Sequence, residues 1–454
     1  MNRTTAPTPR SDELVRSVSR KFYGRILIML CALMFFSITD RVSLSFAGPG
    51  GMNEELGLSA TAFGFAAGIF FFGYVLFEIP SSAAMRRYGA KRWFPRIVIT
   101  WGLAQTLMAF SANEIMLYAL RVLLGVAEAG LTPCALAYIA YFLPQAKRAF
   151  AYSIYMFAGT VSIIVMGPIS LALIPWGDSL GIDFAGWRIL FLVAGILPII
   201  AGIVAYYVLP DGPAQAKWLT PEERTFLAEI GAAEGSDAAS HSFKAGLRSG
   251  RVWLLGIAYF FFPLGTYILV FFLPTVLTGW HESDPSINPS ILSSLPYALA
   301  AIVAIAMGFS VSRLGKAGVH VAVALSIGLV GAIIVANVSD HAINYIGLCL
   351  VAIGALAPTA TFFSIVSKVF AAAAGASALA LVNSLGVISG FVGPYVTGFI
   401  LDTAGTIAPV FVLVSAGFFA AGTVSVVMDV YGERRQRRLI GEIAEDTSGL
   451  GSRE

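Results

Sequence analysis

Twelve apolar runs, each long enough to cross a lipid bilayer, constrain this chain more than anything else in it. A bilayer-spanning helix needs about 20 mostly apolar residues. Runs of that kind lie at 24–47, 60–82, 93–112, 114–141, 149–174, 187–209, 252–278, 290–312, 317–338, 341–366, 375–402 and 407–430. They are numbered here as segments one to twelve. Glycine and proline recur inside them, which lipid-embedded helices tolerate because neighbouring helices satisfy the freed backbone groups. Composition agrees: 57% of residues are hydrophobic and 12% charged, against about 25% charged in soluble domains. The formal charge of +3 is too small to imply a nucleic-acid partner.

Where the charges sit carries more information than their sum. The connections 48–59, 113, 175–186, 279–289, 339–340 and 403–406 hold no Lys or Arg. Basic residues instead gather in the N-terminal tail, in the alternate loops and after segment twelve, as in Arg86, Arg87, Lys91 and Arg92 or Arg434, Arg435, Arg437 and Arg438. The positive-inside rule then places both termini in the cytoplasm, with the chain in the inner (plasma) membrane. The basic N-terminus resembles a signal peptide, but the run 24–47 is too long for one and is interrupted by Asp40 and Arg41. Cys31, Cys134 and Cys349 fall inside apolar runs without metal-ligand spacing, so they read as small buried hydrophobes and no metal or other cofactor is expected.

A repeat organises the segments. Arg87-Tyr88-Gly89 and Arg313-Leu314-Gly315 are offset by 226 residues, and Gly167-Pro168 and Gly393-Pro394 share that offset. The expected architecture is therefore an all-α polytopic membrane protein of two pseudo-symmetric six-helix halves. Its divisions are an N-terminal half at 1–209, a cytoplasmic loop at 210–250, a C-terminal half at 251–430 and a cytoplasmic tail at 431–454. Parallel halves of this kind build transporters with a site near the midplane.

Ionisable residues within a span cost about 2.5–3.5 kcal/mol on insertion scales, so each is a functional candidate. Asp40 and Arg41 lie in the outer half of segment one. The planar fork of Arg41 suits a carboxylate ligand. Asp40 is expected either to take up a proton or to be held ionised by Arg41; a static internal ion pair is the structural alternative. Glu128 lies mid-span in segment four, where desolvation favours a proton-carrying role over a fixed hydrogen bond. Arg121, seven residues earlier on the same face, is placed to bias it. Tyr74 and Asn383 are candidate substrate contacts or helix-packing groups. Tyr267 stands 226 residues from Arg41 and is expected to face the same cavity. Asp402, Asp429 and Lys368 sit at helix ends and read as solvated there, and Arg188 reads as a boundary anchor. No paired catalytic groups converge, so no enzyme is expected, and no nucleotide-binding loop suggests an ATP-driven pump.

These residues carry a resemblance to a known family. The stretches are Asp40-Arg41-Val42, Arg121 to Gly130 with Pro133, and Tyr141-Phe142-Leu143-Pro144 with Arg148-Ala149. To these are added Gly186-Trp187-Arg188 with Leu209-Pro210-Asp211-Gly212-Pro213 and Trp218 to Arg224, and Asn383-Ser384-Leu385-Gly386 with Gly390 to Tyr395. The chain resembles the major facilitator superfamily and, within it, the anion:cation symporter family of organic-acid carriers. That resemblance implies alternating access, substrate carboxylate at Arg41, protons at Asp40 and Glu128 with Arg121 influencing Glu128, and Tyr74 and Asn383 lining the site. The expected partners are a small organic anion, protons and the lipid bilayer, with the protein acting as a monomer.

The chain departs from the family at several points. Ser37-Ile38-Thr39 stands where Asn-Tyr often precedes the Asp-Arg pair, and Arg86 replaces an acidic residue. Segments seven and ten read Val270-Phe271-Phe272 and Pro358-Thr359-Ala360-Thr361 where polar or Trp residues are common. A cavity with Phe70, Phe71, Phe72 and Phe272 would suit a less hydroxylated acid. Two rival readings remain, a proton-coupled exporter and a non-transporting membrane sensor.

Overall fold

The computed structural model describes residues 9–181, 183–235, 249–370 and 375–450. The part of the central loop with Lys244 and Arg248, and the last four residues of the tail, lie outside that set. Among the described residues, eleven helices are long and apolar enough to cross a membrane. Segment three, the helix Ala90–Met108, stands outside them because Lys91, Arg92 and Arg96 occupy its first two turns. Those bases do not disrupt it: Arg96 folds over Trp93 at 4.7 Å and Lys91 over Tyr206 at 5.1 Å, and the remaining turns bury Ile97, Val98 and Trp101. Large apolar side chains such as Tyr207, Ile79 and Ile115 are exposed, as expected where the surrounding solvent is lipid.

Packing divides the chain into two compact units, Met1–Leu58 with Ile69–Ala239, and Ser59–Gly68 with Ser240–Glu454. In the first unit, segment one runs as Ile28–Ala47 after an amphipathic helix, Pro9–Phe22. Segments three and six approach closely, and a Cβ on Gly102 would come within 2.7 Å of the Gly195 carbonyl oxygen. Small residues of this kind let membrane helices come close enough for dispersion to hold them. Asp211 accepts the Lys91 N–H at 2.9 Å and caps segment three. Glu223, near the start of Pro221–Gly235, accepts Ser17 Oγ and Lys21 Nζ at 2.7 Å and the Thr220 N–H at 2.8 Å. Burial by itself would raise that carboxyl. The Lys21 ammonium, the Thr220 N–H and the Ser17 hydroxyl outweigh it and hold Glu223 below the ordinary carboxylate range.

In the second unit, segments seven, eleven and twelve are long helices, Gly250–Ser283, Gly375–Ala404 and Ala408–Leu450. The last continues past position 430 without a break, through much of what the sequence suggested was a tail. Three residues read as solvated helix-end groups have definite partners. Asp402 accepts the N–H groups of Ala60 and Thr61 at 3.0 and 2.8 Å. Asp429 accepts the Gly318 N–H at 2.7 Å, capping segment nine, and pairs with Lys368 at 3.0 Å. An orphan N–H at a helix start is a better partner for these acids than water shared with headgroups.

Among the described residues, segments four and ten are interrupted well inside their length. Segment four is the helix Glu114–Glu128, then Ala129 and Gly130, then Leu131–Phe142. Gly130 has φ +87°, and a Cβ there would fall 2.5 Å from Ser81 Oγ, so the break demands glycine. Segment ten is His341–Leu356 followed by Thr359–Val369, with Ala357 and Pro358 between them. The 226-residue offset carries Gly130 onto Leu356, the last residue before the second break.

Candidate functional site: a buried charge cluster at the break in segment four

Glu128 is the last residue of its helix, and it is fully buried at the interruption. Around it the first unit brings together every charged candidate from the sequence. Arg41 donates to Glu128 Oε1 from Nη2 at 2.5 Å and from Nε at 3.1 Å. Ser37 Oγ donates to the same oxygen at 2.5 Å. Ser37 and Arg41 are one turn apart on segment one, so they present one face to segment four. Glu128 Oε2 is buried without a hydrogen-bond partner among the described residues.

Aromatic rings shape the cluster. The Arg41 guanidinium lies 4.8 Å from the Phe70 ring centroid and 5.0 Å from that of Tyr74. Arg121, itself fully buried, lies 5.1 Å from the same Phe70 ring. One ring thus borders two cations, an arrangement worth more in a desolvated site than at a surface. Phe71 is buried nearby, whereas Phe72 is 63% exposed and lines no such cavity, because it follows the lipid-facing side of its helix. Phe272 belongs to the second unit, buried edge-on against Phe63.

Asp40 does not pair with Arg41. Consecutive residues on a helix point about 100° apart, so the two side chains leave segment one in different directions. Asp40 is fully buried, with Glu128, Arg121 and Arg41 as its charged neighbours, and neither of its carboxyl oxygens has a hydrogen-bond partner among the described residues. The sequence kept open both an ion-paired and a protonated Asp40; this geometry fits the protonated form, since a buried carboxylate with no donor is strongly disfavoured.

The remaining candidates lie in the second unit. Tyr267 is half-buried on segment seven with its ring stacked on Phe271, and Asn383 is exposed on segment eleven. Arg188 is an anchor, as its position suggested: it donates to Glu55 and to the Ala109 carbonyl oxygen, both at 2.6 Å. Among the described residues, no group of His, Cys, Asp and Glu is arranged to hold a metal. Ser37 was legible only as a departure from a pattern. Trp101 and Gln105, buried in segment three, carried no signal beyond their polar atoms within a span.

The geometry of buried ions beside an interrupted helix is common in secondary transporters. A family model settles the matter: residues 30–394 match that of the Major Facilitator Superfamily. The chain belongs to that superfamily. It is a multi-pass membrane transporter and not an enzyme. Among its relatives is a protein of Agrobacterium vitis named "Putative tartrate transporter", 35% identical over 87% of this chain and 88% of the relative. Another is a quinolone resistance transporter of Acinetobacter baumannii, 30% identical over 87% of this chain and 90% of the relative. In fold, this superfamily member resembles a bacterial homologue of the human lysosomal transporter Spinster, with a TM-score of 0.67 and 18% identity. That match covers 89% of this chain and 93% of the other.

Proposed function

We propose that this transporter takes up a small organic carboxylate together with protons, by alternating access, in the anion:cation symporter manner. It works as a monomer in the inner membrane with both termini cytoplasmic. The pair Arg41–Glu128 is the observation that carries the reading. Arg41 is the one cation of the cluster that reaches solvent, its side chain 15% exposed against none for Glu128. A substrate carboxylate and Glu128 therefore compete for one guanidinium. Protonating Glu128 removes its claim and frees Arg41 for the substrate, while substrate at Arg41 favours a proton on Glu128. Each ligand thus raises the affinity for the other, which is the coupling a symporter needs.

Charge counting supports the same reading. With Asp40 neutral, Arg41, Arg121 and Glu128 sum to one positive charge, which a monocarboxylate with Glu128 ionised, or a dicarboxylate with Glu128 protonated, would cancel. A cluster near neutrality moves through a low-dielectric interior at least cost. Tyr74 beside Arg41, and Tyr267 and Asn383 from the second unit, are the proposed further substrate contacts. The two halves, 1–209 and 251–430, are proposed as the rocking bodies. The Agrobacterium relative's name supports an acid such as tartrate as substrate.

The test uses proteoliposomes and a panel of labelled aliphatic, sugar and aromatic carboxylates, with and without an inward proton gradient. Accumulation that needs the gradient, with wild type active and Glu128→Gln inactive, is the expected result. Equal accumulation by the two would remove Glu128 from the mechanism. Proton-coupled export is the second reading, favoured by the Acinetobacter relative. Gradient-driven extrusion of a quinolone from inside-out vesicles, with no uptake of any acid, would put it first.

A further inference from the structure

Asp40 looks away from Arg41 toward segment three, where a set of buried polar atoms has no assigned purpose. Trp101 and Gln105 stand one turn apart on that helix, both with no exposed surface. Gln105 Nε2 donates to Ser43 Oγ at 2.9 Å, and Ser43 Oγ donates to the Asp40 carbonyl oxygen at 2.8 Å. This relay fastens the Asp40 turn of segment one against segment three. One turn back along the same face, Trp101 Nε1 lies beside the Asp40 carboxyl but falls short of a hydrogen bond, and it has no other partner. An indole N–H is a donor only, so burying it unbonded is costly unless it serves a state other than this one.

We propose that Trp101 is the positioning residue that decides when Asp40 gives up its proton. The inference rests on the symport reading above. In the state seen here Asp40 needs no donor. When its proton passes to water on the release side, the carboxylate left behind must find one. Arg41 is committed to Glu128, and the other charged groups facing Asp40 are Arg121 and Glu128 itself, both from segment four. The Trp101 N–H is an uncommitted donor beside this carboxyl, and rotation of either side chain would complete the bond. Gln105 and Ser43 hold the two helices in register so that this rotation suffices. Trp101 does not touch substrate; it acts through Asp40.

Infrared difference titration of the purified protein reads the step directly, because a protonated buried carboxyl has its own C=O band. The Asp40 band is the one missing from Asp40→Asn. Trp101→Phe should move the midpoint of that band by about one pH unit toward alkaline, a tenfold change in proton concentration, as expected for losing one hydrogen bond to a charge. Wild-type protein carrying fluorotryptophan, a stronger N–H donor in the same fold, should move it the opposite way. In liposomes Trp101→Phe should slow net uptake several-fold and leave substrate exchange at wild-type rate, since exchange needs no proton release. Coincident midpoints in all three proteins would overturn the proposal, as would an equal loss of uptake and exchange. If wild type itself shows no gradient-driven uptake, the symport reading fails, whereas the infrared shift judges the Trp101 contact on its own.

Discussion

Segments four and ten occupy matching places in the two repeats and are broken at nearly matching residues, yet they are broken differently. The first break leaves Glu128 at a helix end, uses a left-handed glycine, and is ringed by Arg41, Arg121 and Asp40. The second is made by Ala357 and Pro358, whose nearest helical neighbours Leu356 and Thr359 carry no charge. Glu128, Arg121 and Asp40 are all fully buried in the first unit, while Asp429, paired with Lys368, is the buried acid among the described residues of the second. The repeat thus conserves the backbone device and not the chemistry. Interrupting a helix frees backbone groups and lets a side chain turn inward; what that side chain does is left to each half.

The sharpest way to break this contrast is to remove the charge on one side. Arg41→Ala should lower uptake by at least a hundredfold, because Glu128 is left buried and unpaired and the substrate loses its cation. Arg41→Lys should not restore it, since a point charge cannot reproduce two donors on one oxygen while lying over Phe70. Tyr267→Phe, at the matching position of the second repeat, should cost less than tenfold. Initial rates in proteoliposomes compare all three. If Tyr267→Phe equals Arg41→Ala, the asymmetry is wrong.

The breaks themselves come next. Gly130→Ala places a Cβ at a left-handed φ and against Ser81, and should destabilise the protein by about 1–3 kcal/mol. Pro358→Ala removes no such constraint and should stay within about 1 kcal/mol. Melting curves in detergent decide it.

Two helix-capping ties differ by less. Asp211 caps segment three through a backbone N–H, whereas Asp429 caps segment nine and also holds Lys368. Lys368→Met should therefore cost about 1 kcal/mol at low ionic strength and become silent in molar salt. The smallest expected effect belongs to Glu223. Its folded-state carboxyl sits below the ordinary range, so its contribution is present above about pH 4.3 and is lost as pH falls through the lower folded value. Glu223→Gln should lower the melting temperature at pH 7 and match wild type near pH 3. A difference that persists at pH 3 would mean packing, not charge, is at work.

Much of this was legible in the sequence. The spans, their basic loops, the 226-residue repeat and the membrane class follow from hydropathy and charge, which act over lengths of twenty residues and need no partner to be read. Segment three was legible as a span even though its first turns are basic, because long basic side chains can lay their stems on aromatic rings. Asp402 is exposed, as its helix-end position suggested, but its caps on Ala60 and Thr61, like that of Asp429 on Gly318, were not legible, because a helix cap is a contact with a distant N–H that composition does not reveal. The break after Glu128 was hidden too. Nothing in the hydrophobic run around Gly130 announces a break, and only its positive φ and the approach of Ser81 show why glycine is needed there.

The sequence by itself marked Asp40, Arg41, Arg121 and Glu128 as functional candidates, because charge within a span is costly. It could not determine who pairs with whom. Adjacency suggested Asp40 with Arg41, but the helical rotation of about 100° between neighbours sends them to different helices. Tertiary packing gave Arg41 to Glu128, eighty-seven positions away, and turned Asp40 toward Trp101. Pairing is settled by direction in space, and a helix fixes direction only after its neighbours are in place.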